Sequence, residues 1–289
     1  MGLQTFQVKS AYIANLQEGG YLAKLLDLLF EFLGIATGGS FEPERNQTKF
    51  FSIYEEDWTS QKSIKQLFVH LYYICLLNTP SLVKAWFTAL TNRLIISGVE
   101  KFTGKYLSPL IIDSELSSVS EWASGELSTP ATTSSPSDIE IQVRVSRAVR
   151  EVSITCTIDG QLMELAIRLP AEFPLHKPEV EGIKKVGFTE RQWTALQRDS
   201  NAVIALQGGS IIEAVMLFRK NVSLRFAGVE ECAICYSILG QERTLPRKKC
   251  VTCANKFHAG CLFKWFDTSN SSTCPLCRRS WQFYGRGVR

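Results

Sequence analysis

Residues 232–277 read CAICYSILGQERTLPRKKCVTCANKFHAGCLFKWFDTSNSSTCPLC. Within these 46 residues, seven cysteines and one histidine form four close pairs with the spacing C-x2-C, fourteen residues, C-x2-C, four residues, H-x2-C, twelve residues and C-x2-C. A two-residue gap lets both members of a pair reach one tetrahedral ion. The stretch therefore predicts two zinc ions held by eight ligands: Cys232, Cys235, Cys250, Cys253, His258, Cys261, Cys274 and Cys277.

The number of ligands indicates what the ions do. Four protein ligands fill a tetrahedral zinc site and leave no position for water, so we expect two structural ions rather than a hydrolytic centre. The zinc region, residues 229–289, is too short to bury a large core of its own. Zinc binding therefore contributes folding free energy, on the order of 10 kcal/mol or more per ion, and we expect this region to unfold without zinc.

The composition of the whole chain is that of an ordinary globular protein. Its 289 residues are 45% hydrophobic and 21% charged, which is enough for two or three domains with cores of their own. Seven of the nine cysteines lie in the paired stretch, and only Cys75 and Cys156 remain. Because this is not a dispersed disulfide framework, it predicts a reducing compartment, the cytosol or the nucleus.

No segment is predicted to cross a membrane. The most apolar runs, residues 67–77 and 21–33, are too short for a bilayer or are interrupted by charged side chains. The first residues also lack the pattern of a signal peptide. We therefore expect no membrane partner and a cytoplasmic location.

The positive charge of the chain is concentrated in the zinc region. The net charge is +4, but residues 229–289 alone hold ten Lys or Arg against four Asp or Glu, a net charge of +6. The remainder of the chain is therefore slightly acidic. This asymmetry predicts an acidic partner for the zinc region without naming it.

The first part of the chain is predicted to be helical. Apolar residues recur every three or four positions in two stretches, which is typical of helices with one buried face. They are Leu22, Leu25, Leu26, Leu29 and Leu33 in the first stretch, and Ile64, Leu67, Phe68, Leu71 and Cys75 in the second. Successive helices with short connections indicate stacked, HEAT-like pairs over residues 1–113, although no residue-level repeat marks them.

A Ser- and Thr-rich stretch, residues 114–138, is predicted to be a linker between this helical part and the next domain. After it, apolar and polar residues alternate in three successive runs between residues 139 and 169, and a fourth run follows at residues 180–186. Two helical patterns then complete the segment. Strands first and helices afterwards predict an α+β domain at residues 139–228.

The turn after the third strand carries a family resemblance. It reads Phe173-Pro174-Leu175-His176-Lys177-Pro178, an aromatic-Pro-x-x-x-Pro pattern within a strands-then-helices order. This resembles the RWD domain, a relative of the ubiquitin-conjugating fold that has lost catalysis. The sequence agrees with a non-catalytic domain, because no cysteine occurs between Cys156 and Cys232.

The spacing alone leaves open how the four ligand pairs share the two ions. Sequential pairing gives two independent knuckles, whereas interleaved pairing gives one compact unit. The residues around the ligands resemble the RING family of ubiquitin ligases, and this implies a cross-braced arrangement. The implied sets are Cys232, Cys235, His258 and Cys261 for one ion, and Cys250, Cys253, Cys274 and Cys277 for the other.

One ligand departs from the common RING order, because Cys253 stands in fourth place where many RING domains have histidine. The same order occurs in PHD fingers, which read peptide tails without catalysing a reaction. A PHD finger is expected to have Trp two residues before its seventh ligand, whereas this chain has Ser272. The non-ligand residues thus favour RING, and a PHD-like reader or scaffold is the alternative.

The RING resemblance also implies which residues act. It implies that an apolar face docks a ubiquitin-charged conjugating enzyme and that Arg278 bridges that enzyme and its ubiquitin. The implied docking residues are Ile234, Leu262, Trp265 and Pro275. The simpler interpretation is that these side chains only pack a small core. Because Cys75 and Cys156 lie in apolar patterns, we expect no covalent ubiquitin intermediate on this chain.

Taken together, the helical part, the RWD-like domain and a terminal RING with the motif Lys-Phe-His-x-x-Cys-Leu-x-Lys-Trp-Phe resemble the ubiquitin ligases of ribosome-associated quality control. The resemblance implies ubiquitin transfer to stalled nascent chains on the large ribosomal subunit. Five basic side chains in the RWD-like region are candidates for contacts with ribosomal RNA phosphates, although a solvated strand end explains them equally well. They are Arg144, Arg147, Arg150, Lys184 and Lys185.

Overall fold

The apolar stripes of the first part form helices that pack on one another. A computed structural model describes residues 15–16, 18–35, 41–44, 48–49, 61–128, 141–205 and 209–282. The helices of the first part are α1 (Tyr21–Leu33), α2 (Gln61–Asn78), α3 (Pro80–Ala89), α4 (Arg93–Phe102) and α5 (Ser108–Ser128), with a π-helical turn at Thr103–Leu107 between the last two.

Aromatic rings join these helices in a common core. Phe30 of α1 stacks on Trp86 of α3 with ring centroids 5.3 Å apart, and it meets Tyr72 of α2 edge-on at 4.8 Å. The indole nitrogen of Trp86 also donates a hydrogen bond of 2.8 Å to Asp27. Such ring pairs stabilise packing beyond the area they bury. The predicted helical part is therefore confirmed.

Helix α5 corrects the predicted linker. It continues to Ser128, so residues 114–128 are helical, while residues 129–138 of the predicted linker lie outside the described residues. The helix buries Leu116 and Val119 against the core, and its serine hydroxyls donate to carbonyl oxygens one turn earlier, as Ser117 does to Asp113 at 2.7 Å. These internal hydrogen bonds make a serine-rich stretch compatible with a helix.

The four predicted strands form one antiparallel sheet in the order β1-β2-β3-β4. The strands are β1 (Ile141–Ser146), β2 (Glu151–Ile158), β3 (Gln161–Arg168) and β4 (Glu179–Lys184), followed by helices α6 (Glu190–Ala205) and α7 (Ile211–Phe226). Every second residue of β2 from Val152 to Ile158 is buried, as the alternation predicted. The strands-then-helices order of the α+β domain is confirmed.

The two cysteines outside the zinc region lie in apolar surroundings that disfavour the thiolate. Cys156 of β2 is 1% exposed, and burial raises the pKa of its thiol to about 12. Burial also raises the pKa of Cys75, which is half-buried in α2. A thiol must be a thiolate to attack a thioester, so neither side chain is suited to carry ubiquitin.

Within the described residues, no helix has both the length and the apolar character needed to span a bilayer.

Candidate metal centres and docking face

The zinc region is built from short turns rather than from long elements. Its regular structure consists of β5 (Lys248–Lys249), β6 (Lys256–Phe257) and α8 (Ala259–Ser269). Each of the three C-x2-C pairs forms a tight turn that ends in a residue with positive φ: Tyr236 at 56°, Ala254 at 62° and Arg278 at 56°. In each turn, the backbone N–H of that residue donates to the carbonyl of the first cysteine of its pair. This shared geometry aims both thiols of a pair at one point.

The structure brings the eight ligands together in two interleaved sets, Cys232, Cys235, His258 and Cys261, and Cys250, Cys253, Cys274 and Cys277. Within each set, the ligand atoms all lie within 4.8 Å of one another. In the second set, the sulfurs of Cys250 and Cys277 are 3.7 Å apart, as are those of Cys253 and Cys274. A tetrahedral ion with Zn–S bonds of about 2.3 Å holds its sulfurs about 3.8 Å apart. The residues present therefore fit two structural zinc ions.

The thiols of the second set differ in how readily they lose a proton. A hydrogen bond from the Asn255 side chain lowers the pKa of Cys253 to about 6, whereas burial raises the pKa of Cys274 to about 12. Four thiolates at this spacing repel one another unless a cation lies between them. The donor set is therefore that of a soft divalent ion.

A small aromatic core supports both centres. Phe257 of β6 is fully buried, and its ring meets that of Trp281 edge-on with centroids 5.8 Å apart. Phe266 of α8 contacts the other side of Trp281 at 5.9 Å. The sequence analysis missed Trp281, although its place four residues after the last ligand is a local signal. Trp281 closes the core by joining the end of the chain to α8.

Three of the four predicted docking residues lie at the surface of the zinc region. Ile234, Trp265 and Pro275 are half-buried, and the indole nitrogen of Trp265 donates to the carbonyl of Thr273 at 3.1 Å, which fixes the ring. Leu262 is only 3% exposed and belongs to the core. Leu262 thus contributes to packing, whereas Ile234, Trp265 and Pro275 are accessible to a partner.

A groove next to this face was not predicted. It has a volume of about 640 Å³, runs between α8 and the spacer that follows Cys235, and includes the first metal centre, since Cys235, His258 and Cys261 also line it. Ile234, Lys264 and Trp265 line one side, and spacer residues from Leu239 to Thr244 line the other. Arg278 is exposed at the end of the last turn. The spacer thus lines the cavity beside Ile234 and Trp265.

Comparisons with known proteins cover all three parts of the chain. Sequence models match residues 2–120 as an LTN1 family HEAT repeat region, residues 141–225 as ubiquitin conjugating domain-like and residues 230–278 as a Ring finger domain. The protein named E3 ubiquitin-protein ligase listerin of Schizosaccharomyces pombe is 39% identical over 96% of this chain. The chain belongs to the listerin family. The three matches follow one another along the chain, with the helical region first, the conjugating-domain-like part second and the RING last.

Other listerins are similar over the same extent. The relative from Mus musculus is 34% identical over 95% of this chain, and the one from Saccharomyces cerevisiae is 31% identical over 95%. The chain spans 17%, 15% and 18% of the length of the Schizosaccharomyces, Mus and Saccharomyces listerins. The match thus concerns one portion of much longer proteins.

The five basic residues proposed for RNA contact do not form one free cluster in this listerin-family chain. Arg147 binds Asp113 at 2.9 Å, and the Nε of Arg150 donates to the carbonyl of Leu169 at 3.3 Å. Lys184 pairs with Glu164 at 3.6 Å, Lys185 pairs with Glu190, and Arg144 is exposed. Surface ion pairs contribute little stability, so these lysines remain able to exchange partners.

Proposed function

We propose that this chain is the ubiquitin-transferring portion of a RING-type E3 ligase that acts on stalled nascent chains at the large ribosomal subunit. The observation that carries the proposal is the interleaved grouping of the two ligand sets, with Ile234, Trp265 and Pro275 at the surface beside Arg278. A PHD-like reader needs an aromatic cage for its peptide, and Ser272 stands where its tryptophan is expected.

The chemistry of transfer takes place on the conjugating enzyme. An acceptor amine attacks the thioester carbonyl, a C–N bond forms, the C–S bond breaks, and the enzyme's cysteine leaves as thiolate while the amine proton passes to solvent. The contribution of this chain is to hold the reactants in an attackable geometry. Ile234, Trp265 and Pro275 bind the conjugating enzyme, and Arg278 donates hydrogen bonds to it and to its ubiquitin. Bound zinc supplies the fold of the turns that present these side chains.

We assign residues 139–228 to the RWD class of domains. The match to a ubiquitin conjugating domain-like family supports this assignment, and so does the lack of a cysteine between Cys156 and Cys232. The helical region of residues 1–113 precedes this domain and extends through α5 to Ser128. The RING domain of residues 229–289 follows it. We propose the cytosol as the location, in association with ribosomes.

The role of Arg278 can be tested without straining its turn. Because its φ is 56°, asparagine is the better replacement, since it tolerates this conformation while removing the guanidinium. Hydrogen bonds to charged groups contribute about 1.5–3 kcal/mol, so Arg278→Asn is expected to slow ubiquitin discharge about tenfold or more. Single-turnover discharge from a charged conjugating enzyme to free lysine measures this rate.

Arg279→Asn is the matched control, because Arg279 is an exposed neighbour with the same charge. It is expected to leave the discharge rate and the content of two zinc ions unchanged. Equal rates for Arg278→Asn and wild type would contradict the bridging role of Arg278.

The ribosome contact is tested by co-sedimentation with purified large subunits. We expect Arg144→Gln with Lys184→Gln to weaken binding and to lower the salt slope by about one for each lost phosphate contact. The control, Arg93→Gln with Lys101→Gln, removes the same charge from exposed positions of α4 and is expected to bind normally. If both double variants bind like wild type at every salt concentration, the contact lies outside this part of the sheet domain.

A further inference from the structure

Two buried leucines of the spacer between Cys235 and Cys250 pack against the sheet domain, although the end of the spacer, β5, pairs with β6 of the RING. Leu239 is 4% exposed and Leu245 is 9% exposed, and both belong to the large core shared with the sheet. The RING core is a separate cluster around Phe257 and Leu262. The spacer therefore contacts both domains, with Leu239 and Leu245 in the core of the sheet domain and β5 paired within the RING.

Three hydrogen bonds fix the spacer to the sheet domain. The Asp159 carboxylate accepts from the backbone N–H of Leu239 at 2.8 Å, and the Gln161 amide donates to the carbonyl of Gly240 at 3.2 Å. The backbone N–H of Gly187 donates to the carbonyl of Arg243 at 3.0 Å. Asp159 begins the turn between β2 and β3 with φ 51°, followed by Gly160 at 73°, a left-handed pair that suits a two-residue hairpin.

The same spacer residues contact the first metal centre from the other side. The Nδ1 of His258 lies 3.4 Å from the sulfur of Cys235 and 3.8 Å from that of Cys261, so Nδ1 is the nitrogen that faces the metal. The Nε2 of His258 lies 3.1 Å from the carbonyl oxygen of Ile238, which accepts its proton. The carbonyl of Ser237 accepts from the N–H of Cys232 at 2.9 Å.

Gly240 completes this contact by packing against the imidazole. A Cβ at position 240 would lie 3.0 Å from Cγ of His258 and 3.1 Å from its Cδ2, closer than ordinary side-chain contacts. Residues 237–240, which we call the strap, are thus held between Asp159 and Gln161 on one side and two zinc ligands on the other.

We propose that Asp159 and Gln161 of the sheet domain are positioning residues in the outer shell of the first zinc site. They hold the strap, and the strap orients His258 and Cys232 through the carbonyls of Ile238 and Ser237. Outer-shell hydrogen bonds fix the tautomer and orientation of a metal-bound imidazole, and their loss typically weakens metal binding 10- to 100-fold. The sheet domain is therefore a structural part of this RING. The part of this proposal that concerns ubiquitin transfer rests on the proposed function.

The groove explains why this arrangement bears on the conjugating enzyme. The spacer from Leu239 onward forms one wall of the groove, and Ile234 and Trp265 lie on the opposite wall. The distance between the walls depends on where the strap lies, because Leu239 and Gly240 belong to both the strap and the groove. Asp159 and Gln161 therefore help to set the shape of the docking surface, although neither touches it.

Asp159→Gly tests the proposal in the full chain loaded with two zinc ions. Glycine keeps the positive φ of the turn and removes the carboxylate. We expect release of one ion to a chromogenic chelator to become about tenfold faster, while the other ion leaves at the wild-type rate. Cadmium NMR identifies the affected site, since a site with three thiolates and one imidazole gives a signal separate from that of a four-thiolate site.

Two variants serve as controls. Asp159→Asn keeps both the turn and an acceptor oxygen, so its release rates are expected to stay close to wild type. Asp113→Ala removes a carboxylate that binds Arg147 at the opposite junction of the sheet domain, and it is also expected to leave both rates unchanged. Gln161→Ala is expected to accelerate release from the first site by a smaller factor.

Wild-type release rates in Asp159→Gly would overturn the proposal. Equal acceleration of both ions would also overturn it, because that result indicates general destabilisation rather than an outer-shell role. Zinc release is measured without ubiquitin or a conjugating enzyme. A failure of the ligase proposal would therefore leave this result intact, and a failure of the outer-shell proposal would leave ligase activity intact.

Discussion

Ile234→Ala is expected to slow ubiquitin discharge about thirtyfold while the chain keeps its fold and both zinc ions. Ile234 lies in the first C-x2-C turn, is half-buried, and lines the groove beside Trp265. Central apolar anchors of interfaces typically contribute about 2 kcal/mol or more, which corresponds to a factor of about thirty. The loss is measured as the discharge rate at conjugating-enzyme concentrations below saturation. The difference from the wild-type rate should shrink as the conjugating enzyme approaches saturation.

Val251→Ala is the control for this variant. Val251 is an exposed apolar residue in the second C-x2-C turn and lies outside the groove. Its removal shortens a side chain of the same type in a comparable turn, so the discharge rate should stay at the wild-type value. If Val251→Ala and Ile234→Ala lose the same activity, the loss reflects a weakened RING fold rather than a docking contact.

Removal of zinc is expected to abolish transfer and to unfold residues 229–282. The RING core holds few large side chains beyond Phe257, Leu262, Phe266 and Trp281, so the two ions supply most of its stability, about 10 kcal/mol or more each. Amide hydrogen exchange with and without a chelator measures the unfolding region by region. Helices α1 to α5 should keep their protection, whereas the RING should lose it.

Cys274→Ser and Cys75→Ser separate the effect of zinc from that of a lost thiol. Cys274 is a fully buried ligand of the second set, and its replacement should release one ion and abolish transfer. Cys75 is half-buried in α2 and belongs to neither set, so its replacement should leave two ions bound. A chelated chain that still transfers ubiquitin at the wild-type rate would exclude a structural role for zinc.

The parts of this fold that follow from local chemistry were predictable from the sequence. Ligand spacing singled out the eight side chains that the structure groups in two sets, because the geometry of one tetrahedral ion constrains residues three positions apart. Alternation identified the strands, since residues of β2 such as Ile154 and Cys156 face the core at every second position. The sequence pattern also predicted that Cys156 is buried, and the structure confirms its burial.

The errors came where composition competes with packing. Residues 114–128 have the composition of a linker, yet Leu116 and Val119 bury one face of a helix and the serine hydroxyls bond within it. Leu262 matched a docking position by sequence, whereas the structure has it 3% exposed within the RING core. In both cases the burial of the apolar side chains depends on the elements that pack against them, which composition does not show.

The contacts between domains were beyond any local pattern. Asp159 and Leu239 are 80 positions apart in the chain, and Arg147 and Asp113 are 34 positions apart. The sequence shows that Asp159 begins a hairpin turn, but the partner of its carboxylate depends on how the spacer folds back. The contacts of Asp159 and Gln161 with the strap therefore depend on how the sheet domain and the RING pack together.

We propose that this chain promotes ubiquitin transfer by positioning a charged conjugating enzyme, with no covalent step of its own. Single-turnover discharge of ubiquitin to free lysine tests this proposal, with the zinc-loaded chain at a concentration that does not saturate the charged conjugating enzyme. We predict acceleration by the wild-type chain and by a variant that combines Cys75→Ser with Cys156→Ala, and loss of acceleration in Ile234→Ala and Arg278→Asn. No acceleration by the folded wild-type chain with any conjugating enzyme tested, or full acceleration by both docking-face variants, would contradict it.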